Sequence, residues 1–401
     1  MLASLLTGCW DALPVEKRAF VTAMGVDWLP EAPHLQVTIV QPLMEERRTR
    51  ENRVLTLRAD SLSEAFAMWN HTNAQHLSLG VLSVLVIGRQ AAEQPLSPII
   101  NDLFAHPDLR LGAYVIVTRE TAQELLSVEP PHNQLIAVHL RKVLERAALR
   151  RDAPPTTLDQ FISHMMTPGM DAITALVAPI GTLDHREKAG QGAAAADAAS
   201  GQQAGGDGAT RPEGGGEDVQ IAGAVLWQGD VLAGELTLPE AQFVYMAMGL
   251  AARMWLEVRF PPDDRLFPDQ DTMVLSIESM STRWRLDLVQ GVPHYELEAR
   301  VRLSLHNYAG EVDMSKKENC ALLEEIVADT LEQNILLALQ SVAATGSDPL
   351  SLGQLMRIRH PKEWDSKHWR EKIKTARFKV TAQVEIRNIG LELLRLEPVN
   401  K

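Results

Sequence analysis

The sequence predicts an α+β protein of two to three domains, with mixed or antiparallel sheets each packed with helices. Three observations predict it. Segments that alternate with a period of two are interleaved along the chain with segments of helical period. One tract, His185 to Asp218, interrupts them: about half of it is Gly and Ala, and it holds no large apolar residue. The 401 residues are 45% hydrophobic, which is apolar material enough for more than one core.

Val21–Asp27 and Leu35–Val40 read as two strands around a Pro-containing turn, and Val54–Leu57 as a third. Ser61–Asn73 reads as a helix capped by Ser61 or Ser63, with Leu62, Ala65, Phe66 and Trp69 as its apolar stripe. Val81–Gly88 is nearly all apolar and reads as a buried strand; Gly112–Thr118 is another, after a helix near Leu96–Ala105. Thr121–Ser127, Asn133–Arg150 and Thr157–Met166 read as helices, the last with Asp159 in its first turn.

The 185–218 tract cannot bury enough surface to offset the entropy of ordering, so it reads as a flexible linker. Beyond it, Ile221–Trp227, Gln228-Gly-Asp and Val231–Leu236 read as a hairpin. Pro239–Met254 reads as a helix. Met273–Met280 and Trp284–Val289 read as paired strands. His294–Leu305 alternates cleanly, with Tyr295, Leu297, Ala299, Val301, Leu303 and Leu305 on one face. Glu318–Ala343 is the strongest helical pattern: Leu323, Val327, Leu331, Ile335 and Leu339 share a face with Ile326 and Val342. Phe378–Ile386 is a final alternating strand.

Composition excludes several function classes. The net charge of −13 disfavours a general nucleic-acid binder, which needs a basic face. Two cysteines, Cys9 and Cys320, cannot build a disulfide framework or a four-thiolate zinc site. No apolar run approaches the roughly 20 residues that span a bilayer. No Walker loop, nucleophile elbow, HExxH or strand-linked GxGxxG is present, so no catalytic, cofactor or metal residue is assigned. His71 and His76, five apart, do not share a helix face; His132 and His139 make no better pair. Cys320 opens a helix but reads as a buried structural thiol. Glu45-Glu46 and Glu324-Glu325 read as solvated faces.

The N-terminus carries the one candidate modification site. An apolar stretch leads into Leu6-Thr7-Gly8-Cys9, which resembles a bacterial lipobox. In that class the Cys9 thiol takes a diacylglycerol thioether, and cleavage leaves Cys9 as the first residue. Two acyl chains suffice for stable anchoring. A basic n-region is missing, which residues upstream of Met1 would account for. The expected organisation is then a signal-peptide remnant (1–8), an N-terminal α+β region of one domain or two lobes (9–184), the linker (185–218) and a C-terminal α+β domain (219–401).

Charge is unevenly spread. Leu355–Lys401 holds 12 Lys/Arg against 6 Asp/Glu, a net +6, so the preceding 354 residues carry −19. The tail reads as a charged helix surface at Arg357–Arg377, or as a face for anionic headgroups or an acidic partner.

Taken in order, Gly8-Cys9-Trp10-Asp11, Val21–Asp27, Leu77–Gly88, His106-Pro-Asp-Leu-Arg-Leu111, Ile221–Gly234, Asp348-Pro-Leu-Ser-Leu-Gly353, His360-Pro-Lys-Glu-Trp364, Val384–Arg387 and Gly390 resemble the Ger(x)C family of spore germination lipoproteins. The resemblance covers nearly the whole chain outside the linker. It implies an α+β fold of three domains and a non-enzymatic role. The chain would be the lipid-anchored C subunit of a germinant receptor, on the outer face of the spore inner membrane, with integral membrane subunits A and B as partners. The alternative is a membrane-tethered solute-binding protein that holds the germinant itself. Cys9 is the expected lipidation site. Trp364, Gly353 and Gly390 are expected to be structural, as a core anchor and two turn glycines.

Overall fold

The computed structural model describes residues 14–43, 52–131, 134–180, 218–259, 272–307 and 316–389. The chain divides into two compact units. The first is Met1–Val143, Thr157–Asp159 and Val177–Gln220; the second is Leu144–Thr156, Gln160–Leu176 and Ile221–Lys401.

In the first unit, β1 (Arg18–Phe20) is followed by β2 (Ala23–Trp28), β3 (Leu35–Pro42) and β4 (Asn52–Ala59). Next come α1 (Leu62–Thr72), β5 (His76–Ser78), β6 (Val84–Gly88), α2 (Arg89–Ala92), α3 (Ser97–Phe104), β7 (Tyr114–Thr118) and α4 (Ala122–Leu126). Strands pair in the order β4-β3-β2-β6-β7. β4, β3 and β2 are antiparallel, as short connections allow. β2, β6 and β7 are parallel, and α2 and α3 supply the crossover between β6 and β7. All five residues of β6 are buried, as its unbroken apolar run requires. β1 and β5 form a separate parallel pair. In α1 the Ser61 hydroxyl accepts from Glu64 N–H at 3.1 Å, and Leu62, Ala65, Phe66 and Trp69 are the buried stripe. Helix α5 (Ile136–Arg150), α6 (Leu158–Met166) and β8 (Ile173–Pro179) run through the division between the units.

The second unit continues with β9 (Val219–Gln228), β10 (Val231–Thr237), α7 (Leu238–Ala247), β11 (Trp255–Arg259), β12 (Thr272–Val289) and β13 (Val292–Asn307). Helices α8 (Lys317–Thr345), α9 (Leu352–Arg359) and α10 (Trp369–Lys374) lead to β14 (Arg377–Ile389). β9 and β10 are the expected hairpin, turning at Gly229 and Asp230. Four strands pair in the order β11-β12-β13-β14. β12 and β13 turn at Gln290 and Gly291, both at positive φ, which suits a two-residue hairpin. β13 and β14 are parallel, and the three helices between them make the crossover. One face of this sheet packs on α8, whose Leu323, Val327, Leu331, Ile335, Leu339 and Val342 are buried. Tyr295, Leu297, Ala299, Val301, Leu303 and Leu305 are buried as their alternation predicts. Gly346, at φ 78°, ends α8.

Four expectations need correction. Met273–Met280 and Trp284–Val289 are not two paired strands but parts of β12, paired with β11 and β13. Ser281-Thr282-Arg283 keeps the in–out alternation, with Thr282 half-buried between two exposed neighbours, so this polar stretch continues the strand. The helix expected over Pro239–Met254 ends at Ala247, because Gly249 and Arg253 take left-handed backbone. Arg357–Arg377 is not one helix but parts of α9 and α10, broken around Pro361. Finally, β8 was not anticipated: it is a short, wholly buried run without alternation. Among the described residues no helix is long and apolar enough to cross a membrane.

Candidate functional site

The polar centre of the second unit is built from two buried carboxylates. Asp348 follows α8 by three residues and is 1% exposed; Asp171 precedes β8 and is 6% exposed. Burial at this level demands partners for every polar atom. Asp348 obtains them by folding its side chain over the start of α9: Oδ1 accepts from Leu352 N–H at 2.8 Å and Oδ2 from Gly353 N–H at 2.7 Å. Trp369 Nε1 also donates to Oδ2, at 3.1 Å. Ser351, the residue before α9, is in left-handed conformation and makes no side-chain cap, so Asp348 caps the helix from three residues earlier. Asp171 Oδ1 accepts from Gly229 N–H at 2.7 Å and Oδ2 from Asp348 N–H at 3.0 Å.

Burial raises the pKa of both acids. Asp348 is pushed up to about 7, first by desolvation and further by the charge of Asp171. Asp171 is raised by desolvation, which outweighs its two backbone donors and the nearby charges of Arg370 and His164. His164 is itself lowered by desolvation, and its Nδ1 has no hydrogen-bond partner among the described residues.

The surrounding packing explains the motif residues. Gly353 sits in the first turn of α9, where an added Cβ would lie 2.5 Å from Gly169 Cα and 2.8 Å from the Trp369 ring. It is therefore a close-approach glycine inside a helix, not the turn glycine that was expected. Trp364 is half-buried and stacks at a tilt on Trp369, ring centroids 5.3 Å apart. Trp369, 3% exposed, is the deeper anchor. Trp227 is fully buried: its Nε1 donates to Thr174 Oγ1 at 2.9 Å, its carbonyl accepts from Ser347 Oγ at 2.6 Å, and Phe161 meets it edge-on.

The first unit repeats the device. Asp27, 3% exposed on β2, accepts from Ala122 N–H at 2.6 Å and Gln123 N–H at 3.1 Å, the first two donors of α4. Its pKa is raised by desolvation against those two bonds. Gly88 leaves room for the Asp27 carboxylate, and Gly25 lets α4 approach the sheet. Asp108 accepts from Ser78 Oγ and from Leu79 N–H, and lies 2.6 Å from His106 Nδ1. Burial alone would raise Asp108, but these three neighbours hold it below the usual carboxylate range.

The remaining sequence candidates are scattered. Cys9, residues 1–8, Trp10, Asp11, Glu45-Glu46, His132, the linker as far as residue 217 and Gly390 lie outside the described residues. His71 and His76 are exposed; His139 Nε2 lies 2.8 Å from Asp218 Oδ1. Cys320 is half-buried in the first turn of α8, and burial, with Glu324 nearby, raises its thiol pKa, the reverse of nucleophile activation. Glu324 is not merely a solvated side chain: its Oε1 accepts from Ile386 N–H at 2.8 Å, as Glu332 Oε1 does from Ala382 N–H. No group of three metal-ligating side chains gathers among the described residues. Sequence reasoning missed Asp171 and Trp369, and read Trp227 only as the end of a strand. The carboxylates are occupied by backbone donors: Asp27 fastens the start of α4 to β2, Asp348 fastens the start of α9 to the loop after α8, and Asp171 ties that loop to the β9–β10 turn.

Two family models match in tandem. Residues 11–179 match the spore germination protein N-terminal domain, and residues 222–390 the C-terminal domain described as spore germination B3/GerAC like. Spore germination protein GerQC of Bacillus cereus is 18% identical over 395 residues, 98% of this chain and 97% of that one. YfkR of Bacillus subtilis (strain 168), a putative spore germination protein by its name, is 22% identical over 188 residues, covering 44% of this chain and 47% of that protein. The crystal structure of the GerBC protein aligns at 15% identity and a TM-score of 0.49, over 92% of this chain and 98% of that one. The residues that build the two carboxylate clamps lie within the two matched domains, and the chain belongs to the Ger(x)C family of spore germination proteins.

Proposed function

We propose that this chain is the lipid-anchored C subunit of a spore germinant receptor. It takes part in nutrient-triggered germination by docking on the integral membrane subunits A and B, and it performs no catalysis itself. The observation that carries this reading is the tandem match of both family domains across the chain. The buried acids support a scaffold: Asp27, Asp171 and Asp348 each hold two backbone N–H donors. Cys9, the proposed thioether site, tethers the chain to the outer face of the spore inner membrane. Confinement there raises the effective concentration of its docking surface toward A and B.

The test is an affinity pull-down of tagged full-length protein from detergent-solubilised spore membranes, with mass spectrometry of the co-purified proteins. Recovery of two polytopic membrane proteins is the expected result. Recovery of the chain alone, under detergents that preserve other complexes, overturns the subunit reading and favours a tethered solute-binding protein. Cys9→Ala is expected to move the chain from the membrane to the soluble fraction and to slow germination.

A further inference from the structure

We propose that a basic, apolar-studded patch on the second unit, centred on α9, rests on an anionic lipid surface. Ile358 and Met166, at 71% and 74% exposure, are the two most exposed large apolar side chains among the described residues. They belong to one patch. Gln354, one turn before Ile358 on α9, donates to the carbonyl of Pro168, two residues after Met166. Gly353 packs on Gly169 immediately beside that contact.

Around these side chains the charge is positive. Arg357, Arg359, Lys362 and Lys367 are exposed. The ion pairs of this stretch are His368–Asp365 and Lys374–Glu371, so among the described residues those four cations are not spent on acids. Glu363 is the exposed acid in their midst. Residues 357–367 hold four cations against Glu363 and Asp365 in a chain of −13, so this is where an acidic protein can approach an anionic surface with least repulsion.

The side-chain mixture favours lipid over a protein partner. Lys362 and Lys367 are of the type depleted at the cores of protein interfaces, and cations set around isolated apolar side chains suit headgroups above an acyl boundary. The proposal rests on the reading that the chain works at a membrane, but it does not require the Cys9 anchor.

The experiment uses the full chain carrying Cys9→Ala, so that no acyl anchor contributes. Its co-sedimentation is measured with phosphatidylcholine vesicles, with and without about 30% phosphatidylglycerol. Binding is expected only to the anionic vesicles, and to weaken as salt rises. Reversing Arg357, Arg359 and Lys362 together to Glu is expected to weaken it by at least about tenfold. Ile358→Ser is expected to weaken binding with little change in its salt dependence. These positions are exposed, so thermal melting is expected to be unchanged. Equal binding to neutral and anionic vesicles, or an unaffected triple variant, overturns the proposal. So does failure on vesicles combined with loss of subunits A and B from the triple variant's pull-down, which would assign the patch to a protein partner. Either failure leaves the Cys9 test untouched, and a Cys9→Ala chain released from membranes by a high-salt wash leaves this one intact.

Discussion

Asp171 and Asp348 are joined twice: Asp171 N–H donates to the Asp348 carbonyl at 2.9 Å, and Asp348 N–H donates to Asp171 Oδ2 at 3.0 Å. Residues 177 positions apart in sequence thus close a ring that also takes in the β9–β10 turn through Gly229. Asp171→Ala strips acceptors from the buried N–H of Asp348 and the half-buried N–H of Gly229. The expected loss is about 3 kcal/mol of unfolding free energy, read by urea titration. Asp171→Asn, which keeps one carbonyl acceptor, is expected to lose less.

Asp348 makes stability depend on pH. Its ordinary value of 3.8 rises to about 7 in the folded chain. Between those values the folded state holds a proton that the unfolded state has released. The stabilisation is complete below about pH 4 and is lost as pH rises to about 7. Asp348→Asn does not titrate. The stability advantage of the native chain over this variant is therefore expected to shrink by about 2 kcal/mol between about pH 5 and pH 8. A gap that stays constant or widens would show that Asp348 is charged throughout.

Gly353→Ala is expected to be strongly destabilising although Ala is the better helix former. The new methyl meets the Gly169 main chain and the Trp369 ring, neither of which can yield without opening the clamp. A fall of roughly 2–3 kcal/mol in urea, with reduced burial of Trp369 by fluorescence, is the expected pair of readouts.

In the first unit, Gly88→Ala displaces the Asp27 carboxylate, and Asp27→Ala removes it. Each is expected to cost about 2 kcal/mol through the lost capping of α4. Because both act on the same two N–H groups, the double variant is expected to cost well below the sum. Additive losses in a double-mutant cycle would refute the shared mechanism.

The sequence revealed what is local and periodic. The Tyr295–Leu305 alternation and the Leu323–Val342 stripe each lie within one element, and side-chain spacing alone announces which face is buried. The Ser61 cap was likewise visible because Ser61 and Glu64 are neighbours on one turn. The clamps were not visible as such. Asp27 reaches Ala122 across 95 positions, and no pattern around either residue marks the other. Asp348 and Gly353 stood out as motif residues, but their function is set by Asp171, Gly169 and Trp369, which only folding brings near. Strand β8 was hidden for another reason: buried on both faces, it shows no alternation to read.

The carboxylates of Glu324 and Glu332 have a consequence for neighbouring copies of the chain. Among the described residues β14 is a border strand of 13 residues, long enough to recruit a stranger's backbone and seed stacking. By occupying the N–H groups of Ile386 and Ala382, the two glutamates leave an incoming strand fewer donors to seize. Crowded copies can therefore stand shoulder to shoulder without zipping into ribbons.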